Sequence, residues 1–222
     1  MLLKQKYTYT DYPRVTKKQG RHYDVGGTRP LPSVTTVLDG TADKSAIVEW
    51  RQRVGEAEAA KITNQSAGIG SKLHLNLEYF IKEGKEPDGN YFSRVLANLV
   101  IKQGMKNVDE VWGLEAPLFL TDLYAGTVDC VGLHNGVPAI IDFKNSRKDK
   151  KKEWIEDYFL QLVAYAEAHN EMFGTEIQKG VIMMACHSGR YQEFIIEGDE
   201  YNEYKTKWFD RLYSFYEMYN FE

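Results

Sequence analysis

GTVDCVGLHNGVPAIIDFK, residues 126–144, is the stretch that decides the fold, because it predicts two strands joined by a tight turn. Asn135-Gly136 is typical of a two-residue hairpin turn, which would fold Asp129 back beside Asp142. Side chains alternate along a strand, so Asp142 and Lys144 would share one face. Adjacent carboxylates repel each other unless a cation lies between them, and their oxygens suit Mg²⁺ or Mn²⁺. This pattern is typical of a metal-dependent phosphodiesterase site.

The composition predicts one domain with one substantial core. The chain has 222 residues, of which 43% are hydrophobic, and its 28 basic and 32 acidic residues give a net charge of −4. That balance argues against the binding of polyanions over the whole surface. Two cysteines are too few for a disulfide framework or a four-cysteine metal site. We expect a monomer in a reducing compartment.

Several classes of protein are not favoured by the sequence. No apolar run approaches the roughly 18 residues of a membrane span. Residues 1–15 lack both a secretory apolar core and an Arg-rich transit character. No G-x-G-x-x-G motif follows a predicted strand, and residues 68–72 are too short for a phosphate-binding P-loop. We therefore expect a cytoplasmic protein with no membrane contact and no nucleotide cofactor.

The hydrophobic periodicity predicts an α/β fold, with a central mixed sheet flanked by helices and an N-terminal helical region. The predicted helices span residues 33–38, 44–64, 71–81, 91–103, 154–172 and 200–219, with a break expected at Gly68-Ile-Gly70. The predicted strands span residues 108–120, 123–133, 137–144, 177–186 and 191–196. Within a single domain, 1–222, we expect a hairpin appendage (1–31), a helical region (32–105) and an α/β core (106–222).

Five motifs in a fixed order carry a resemblance to a known family. They are PSVTTVL (32–38), GSKLHLNLE (70–78), GTVDCV (126–131), IDFKNS (141–146) and QLVAY (161–165). Together they resemble the PD-(D/E)XK nucleases, and within them the RecB-like exonucleases, above all a mitochondrial branch. The resemblance implies a restriction-endonuclease-like core and a metal-dependent exonuclease. Its implied substrate is single-stranded DNA with a free end, in replication, recombination or repair.

The resemblance also implies roles for particular residues. The metal ligands would be His74, Asp129, Asp142 and the backbone carbonyl of Phe143, with Mg²⁺ or Mn²⁺ as the ion. Lys144 would be the catalytic lysine, acting together with the two aspartates. Without the family motif, a lone histidine on an amphipathic helix is more often a packed or solvated residue.

Three further residues are candidates for a place in the site. Glu78 lies four positions after His74, on the same helix face, where it would orient the imidazole or hold a metal-bound water. An ordinary helix pair is the alternative. Glu115 would aim at the site from the first strand, or else face solvent. Gln161 would lie beside Lys144 or the phosphate, or else be a polar residue at the margin between helix and sheet.

The most basic stretch of the chain, residues 144–152, begins at this site. Basic side chains there would contact the DNA backbone without reading its sequence, although such a run is often only a solvated loop. The residues expected to contact DNA are Ser33, Thr35, Ser146, Arg147, Lys148 and Tyr165. A plain helix N-cap is the alternative for Ser33. We expect Trp154 and Tyr158 to be candidates for stacking on bases, and Phe159 to belong to the core.

Two rival interpretations remain open at this stage. A structure-specific endonuclease would share the same metal core, since fold alone does not decide where a strand is cut. A non-catalytic DNA-binding recombination module would keep the fold without the chemistry, yet Asp129, Asp142 and Lys144 are all present. The chain has no four-cysteine cluster, helicase motor or transit segment, so we expect a stand-alone nuclease of a bacterium or a phage-infected host.

Overall fold

The chain alternates between helices and strands, as its periodicity predicts, and the computed structural model describes residues 3–219. The six α-helices of this part are α1 (Val34–Thr41), α2 (Ser45–Val54), α3 (Glu56–Glu83), α4 (Tyr91–Gln103), α5 (Glu156–Phe173) and α6 (Gly198–Tyr219). The strands are β1 (Arg14–Lys17), β2 (Gly20–Tyr23), β3 (Leu31–Pro32), β4 (Val108–Leu120), β5 (Tyr124–His134), β6 (Val137–Ser146), β7 (Lys179–Cys186) and β8 (Tyr191–Glu197). Residues 1, 2 and 220–222, which the expected domain includes, lie outside the described residues, and the domain boundaries stay a prediction.

The central sheet has five strands in the order β4-β5-β6-β7-β8. All neighbouring strands are antiparallel except β6 and β7, which are parallel and are connected through α5. A helical crossover of this kind is what a parallel pair requires. The predicted fold class is therefore confirmed: an α/β fold with a central mixed sheet flanked by helices.

Each face of the sheet is covered by its own set of helices. Along β7 every residue is buried, and Ile182 and Met183 point to opposite faces. The face of Ile182 shares a core with Phe159 of α5, and the other face shares one with Leu77 of α3. Helices α1 and α6 pack with α5, whereas α4 packs with α3. The sheet thus separates two layers of helices, and β6 lies between α3 and α5.

The β5–β6 hairpin forms with the expected turn. Asn135 and Gly136 both have positive φ, 50° and 75°, as a two-residue type I′ turn requires. The strands pair from His134↔Val137 to Cys130↔Ile141. Beyond that pair, β5 stays with β4 and β6 stays with β7, so the two strands diverge. We call this point of divergence the fork; the next residue on each side is Asp129 or Asp142.

The expected helix break at Gly68-Ile-Gly70 is wrong. Helix α3 runs through both glycines without interruption, and the break lies earlier, at Gly55, whose φ is 85°. A glycine inside a helix costs only about 1 kcal/mol relative to alanine. Burial of Leu73 and Leu77 against the sheet outweighs that penalty, since each contributes roughly 1.5–3 kcal/mol.

The N-terminal segment differs from its prediction in one respect. The expected hairpin is present as β1 and β2, and β3 adds a third antiparallel strand, so that the segment is a small sheet. Ser33 forms an isolated bridge with Ala125 of β5, which attaches this small sheet to the central one. Among residues 3–219, no helix is long and apolar enough to cross a membrane.

Candidate active site

The two aspartates of the hairpin meet at the fork. Asp129 Oδ2 accepts a hydrogen bond of 2.8 Å from the backbone N–H of Phe143, the residue after Asp142. This bond replaces a backbone ladder contact at the position where β5 and β6 diverge. Asp142 itself is 1% exposed. The fork therefore holds one carboxylate in a fixed orientation beside a second one that is fully buried.

Lys144 neutralises part of this negative charge. Its Nζ lies 2.6 Å from Asp142 Oδ2, and it donates a hydrogen bond of 3.3 Å to Gln161 Oε1 on α5. Burial lowers the pKa of Lys144, but the charges of Asp142 and Asp129 outweigh burial and hold the pKa above its usual value. Lys144 therefore carries a positive charge at neutral pH, within reach of a group bound at the fork.

The pKa values of the two aspartates are shifted in opposite directions. Burial raises the pKa of Asp142 to about 6, despite the opposing effect of Lys144. Burial also acts to raise the pKa of Asp129, but contacts with His74 and Lys144 and the hydrogen bond from Phe143 lower it below its usual value. A pair of adjacent acids with separated pKa values is common at catalytic sites.

His74 reaches the fork from α3. Its Nδ1 lies 3.4 Å from Asp129 Oδ1 and 3.8 Å from Glu115 Oε1, and its ring meets Phe143 edge-on. Burial lowers the pKa of His74, but the neighbouring carboxylates of Asp129 and Glu115 raise it to about 10. The imidazole is thus drawn toward two carboxylates that face it from β4 and β5.

Glu115 has an unusual backbone for a strand residue. It lies between the pairs Leu114↔Cys130 and Ala116↔Val128, opposite Asp129, and its φ is 49°. A positive φ is uncommon for a residue with a side chain, and strained backbone conformations cluster at functional sites. No pattern in the sequence predicts this kink. Because of the kink, the side chain of Glu115 lies directly beside His74 and opposite Asp129.

The donor atoms at the fork suit a divalent ion. His74, Glu115 and Asp129 each offer one ligand atom, and these atoms lie within 4.8 Å of one another. Asp142 Oδ1 is buried and has no hydrogen-bond partner among the described residues. A buried carboxylate oxygen without a partner is costly, and a cation would satisfy it. Carboxylate oxygens are donors that suit Mg²⁺ or Mn²⁺. The compact donor group contains Glu115, which the expected ligand set did not.

Gln161 and Tyr165 form a chain behind Lys144. Gln161 accepts from Lys144 and donates through Nε2 to the Tyr165 hydroxyl, at 3.3 Å. Tyr165 is only 3% exposed, and its ring packs on Gly126, where a Cβ atom would lie 2.7 Å from the ring. Tyr165 is thus buried and bonded inside the protein, and its expected contact with DNA stays a prediction.

Glu78 is paired with a lysine of its own helix. Its carboxylate accepts a hydrogen bond of 2.6 Å from Lys82 Nζ, an i,i+4 pair that does not include His74, and its expected role beside the imidazole stays a prediction. Glu78 nevertheless lines an open cavity of about 570 Å³ together with His74 and Glu115. The cavity leads from solvent to the donor group.

Two of the expected phosphate contacts have other partners. Ser33 is 2% exposed; its Oγ accepts from the Thr36 N–H at 3.0 Å and donates to Thr36 Oγ1, so it caps α1. Ser146 is 8% exposed, and its hydroxyl donates to Lys148 O at 2.6 Å. Both hydroxyls are used inside the protein, because each fixes a local turn. Thr35 is exposed at the start of α1.

The exposed part of the basic run lies at a second cavity. Arg147, Lys148 and Lys150 line a cavity of about 670 Å³. Trp50 and Ser66 from α2 and α3 lie across it, and Tyr158 closes it on the α5 side. Nothing in the sequence connects the two helices to this loop. Phe159 is buried in the core, as expected, and Trp154 is 61% exposed.

Comparison with known proteins finds relatives that share one name. The chain is 31% identical to mitochondrial genome maintenance exonuclease 1 of Homo sapiens, over 82% of this chain and 57% of that protein. It is 30% identical to the protein of the same name from Xenopus tropicalis, over 91% of this chain and 61% of that protein. The chain thus spans about three fifths of the length of these curated relatives. Both are vertebrate proteins, so the expected bacterial or phage source has no support from them.

No family model matches the chain. A solved structure described as "Putative exonuclease" from Eubacterium rectale is 16% identical, with a TM-score of 0.46 over 66% of this chain and 63% of that one. The resemblance expected from the motifs is confirmed by the two relatives: over most of its length this chain is homologous to the proteins named mitochondrial genome maintenance exonuclease 1, and its mixed sheet is consistent with a PD-(D/E)XK-like nuclease.

Proposed function

We propose that this chain is a divalent-metal-dependent deoxyribonuclease that hydrolyses single-stranded DNA from a free end, in replication, recombination or repair. The name exonuclease carried by its relatives supports the reaction class. The single observation that carries the proposal is the fork. There Lys144 Nζ lies 2.6 Å from a buried aspartate, and His74, Glu115 and Asp129 form a group of metal-binding donors beside it.

The donor group would hold the ion, and Lys144 would act on the phosphate. The ion, held by His74, Glu115, Asp129 and Asp142, would supply a water of lowered pKa and polarise the phosphoryl oxygen. Lys144 keeps its proton because two carboxylates face it. A fixed positive charge at this position stabilises the negative charge that develops on the phosphorane oxygens.

The residues behind Lys144 limit its movement. Gln161 accepts a hydrogen bond from the ammonium group and is itself bonded to the buried Tyr165. An oriented charge stabilises a transition state better than a mobile one, because no reorganisation is needed during the reaction. Gln161 and Tyr165 therefore act by positioning Lys144.

The cavity next to the fork supports the choice of a single strand. Arg147, Lys148 and Lys150 offer cations to phosphates, and Trp50 and Tyr158 offer aromatic faces to unpaired bases. A base that stacks on an aromatic ring must first leave its own duplex stack. We propose that a single strand with a free end enters between α2, α3 and this loop.

The test uses end-labelled and circular single-stranded DNA with Mg²⁺, Mn²⁺ or EDTA. We expect the wild type to shorten the linear strand with either ion, to stop in EDTA, and to leave the circle intact. Cutting of the circle would instead indicate an endonuclease of the same fold. Binding of both substrates without cleavage under any metal would indicate a non-catalytic DNA-binding module.

A further inference from the structure

A glycine on α3 faces an amide on β6 next to the site. A Cβ atom placed on Gly70 would lie 3.0 Å from Asn145 Nδ2, closer than the roughly 3.5–4.0 Å at which non-bonded heavy atoms rest. Gly68, two residues earlier on the same helix, has open space around the same position. Only one of the two glycines therefore lets α3 approach β6.

Asn145 is held in place by β7 and by His187, on the side away from α3. Its backbone belongs to the parallel ladder with β7, where it pairs with Ala185. Its Oδ1 lies 3.2 Å from His187 Nε2, which fixes the amide so that Nδ2 faces α3. The His187 ring in turn meets Phe92 of α4 edge-on. Since Asn145 cannot withdraw easily, the gap between helix and strand is set by what stands at position 70.

This contact lies next to the site on both elements, α3 and β6. His74 is four residues after Gly70, on the same face of α3 one turn further on. Asn145 follows Lys144 directly on β6. A displacement of α3 at Gly70 therefore moves His74 relative to Asp129, from which it is separated by 3.4 Å.

We propose that Gly70 is a positioning residue: because it has no side chain, α3 can approach Asn145 of β6 closely, and this spacing places His74 beside Asp129 for metal binding. The inference rests on the proposed function, because metal binding is what gives His74 its role. Residues that orient a ligand from outside the donor group commonly change metal affinity by 10–100-fold when they are altered.

The first experiment measures Mn²⁺ affinity of the full chain by titration calorimetry, without DNA. We expect Gly70→Ala to weaken Mn²⁺ binding by about tenfold, at the lower end of that range. Gly68→Ala is the matched control and should bind Mn²⁺ as the wild type does. Alanine favours a helix at both positions, so loss of the fold does not explain a difference. Equal affinity of Gly70→Ala and the wild type would overturn the proposal.

A second variant removes the Asn145 amide, which is the group that a side chain at position 70 would meet. Asn145→Ala alone should change Mn²⁺ affinity by less than about threefold, well under the range typical of orienting residues. The double variant Gly70→Ala/Asn145→Ala should recover the affinity of Asn145→Ala, because the added methyl group then has room. A double variant as weak as Gly70→Ala would contradict a spacing role.

Histidine NMR spectra of the metal-free protein separate this proposal from the proposed function. The His74 ring signals should move in Gly70→Ala, return in the double variant and stay unchanged in Gly68→Ala. A wild type that binds no Mn²⁺ would reject the proposed function, yet this pattern would still support the spacing. His74 signals that do not move in Gly70→Ala would overturn the spacing itself.

Discussion

Lys144 and Asp142 form a buried ion pair, and either charge would be costly to bury without the other. Taking two charges out of water is expensive, and their attraction repays this only when the geometry is close. The distance of 2.6 Å satisfies that condition, and Asp142 is the more buried of the two. The pair is therefore weak evidence for stability and better evidence for a site, because charges are seldom buried without a chemical use.

Removal of the ammonium group should abolish catalysis without abolishing DNA binding. We expect Lys144→Ala to lower kcat on end-labelled single-stranded DNA by at least about 100-fold, the scale of losing one electrostatic donor. Lys148→Ala is the control from the same basic run; it lines the neighbouring cavity and should change KM more than kcat. A Lys144→Ala enzyme within tenfold of wild-type kcat would exclude the role given to Lys144.

A buried histidine outside the site makes stability depend on pH. His169 is fully buried, between Tyr9 Oη at 3.1 Å and Thr175 Oγ1 at 2.8 Å, and burial lowers its pKa from 6.5 to about 4. The unfolded chain binds the proton below pH 6.5 and the folded chain does not, so stability falls as pH drops from 6.5 toward 4. The loss amounts to at most about 3 kcal/mol.

Urea unfolding of the wild type and of His169→Gln at pH 7.5 and pH 4.5 measures this contribution. The substitution removes the titrating group, so the variant should lose less stability than the wild type over the same interval. Other acidic groups titrate in both proteins and cancel in the comparison. Equal losses in the two proteins would show that His169 is not responsible.

At the scale of elements, the hairpin could be predicted and the helices around it only in part. Asn135-Gly136 is a local signal, since it depends on the φ angles of two residues. The continuity of α3 through Gly68 depends on packing against the sheet, which the local pattern does not contain. Glu115 joins the site through a kink at φ 49° that no periodicity reveals.

The turn itself should matter for stability and not for the site. Gly136 has φ 75°, and a β-branched residue there is strained by roughly 1–2 kcal/mol. We expect Gly136→Val to lower the free energy of unfolding by about that amount in urea titrations. Its kcat should stay near the wild-type value because the turn lies at the opposite end of the hairpin from the fork. An unchanged stability would show that the turn adopts another conformation.

At the scale of the whole molecule, a basic cavity and an acidic cavity lie along one helix, α3. The N-terminal half of α3 lines the basic cavity with Ser66, and its C-terminal half lines the acidic one with His74 and Glu78. The net charge of −4 hides this division. The basic run was visible in the sequence, but the fact that it faces α2 and α3 depends on contacts between distant segments.

The basic cavity should determine how DNA binding depends on salt. Each phosphate contact with a single strand contributes about −0.7 to the slope of log K against log salt concentration. We expect Arg147→Gln/Lys148→Gln to reduce the slope by about 1.4, measured by fluorescence anisotropy of labelled single-stranded DNA in EDTA. Lys102→Gln, an exposed change on α4 that does not line the cavity, is the control. Equal slopes in all three proteins would place the DNA elsewhere.

The account depends most on a divalent ion at the fork. Anomalous diffraction from crystals soaked in Mn²⁺ locates such an ion without reference to activity. We predict a peak about 2 Å from carboxylate oxygens of Asp129 and Asp142, with His74 among the neighbouring donors. A fork with no peak, while Asp142 remains paired with Lys144, would contradict the account.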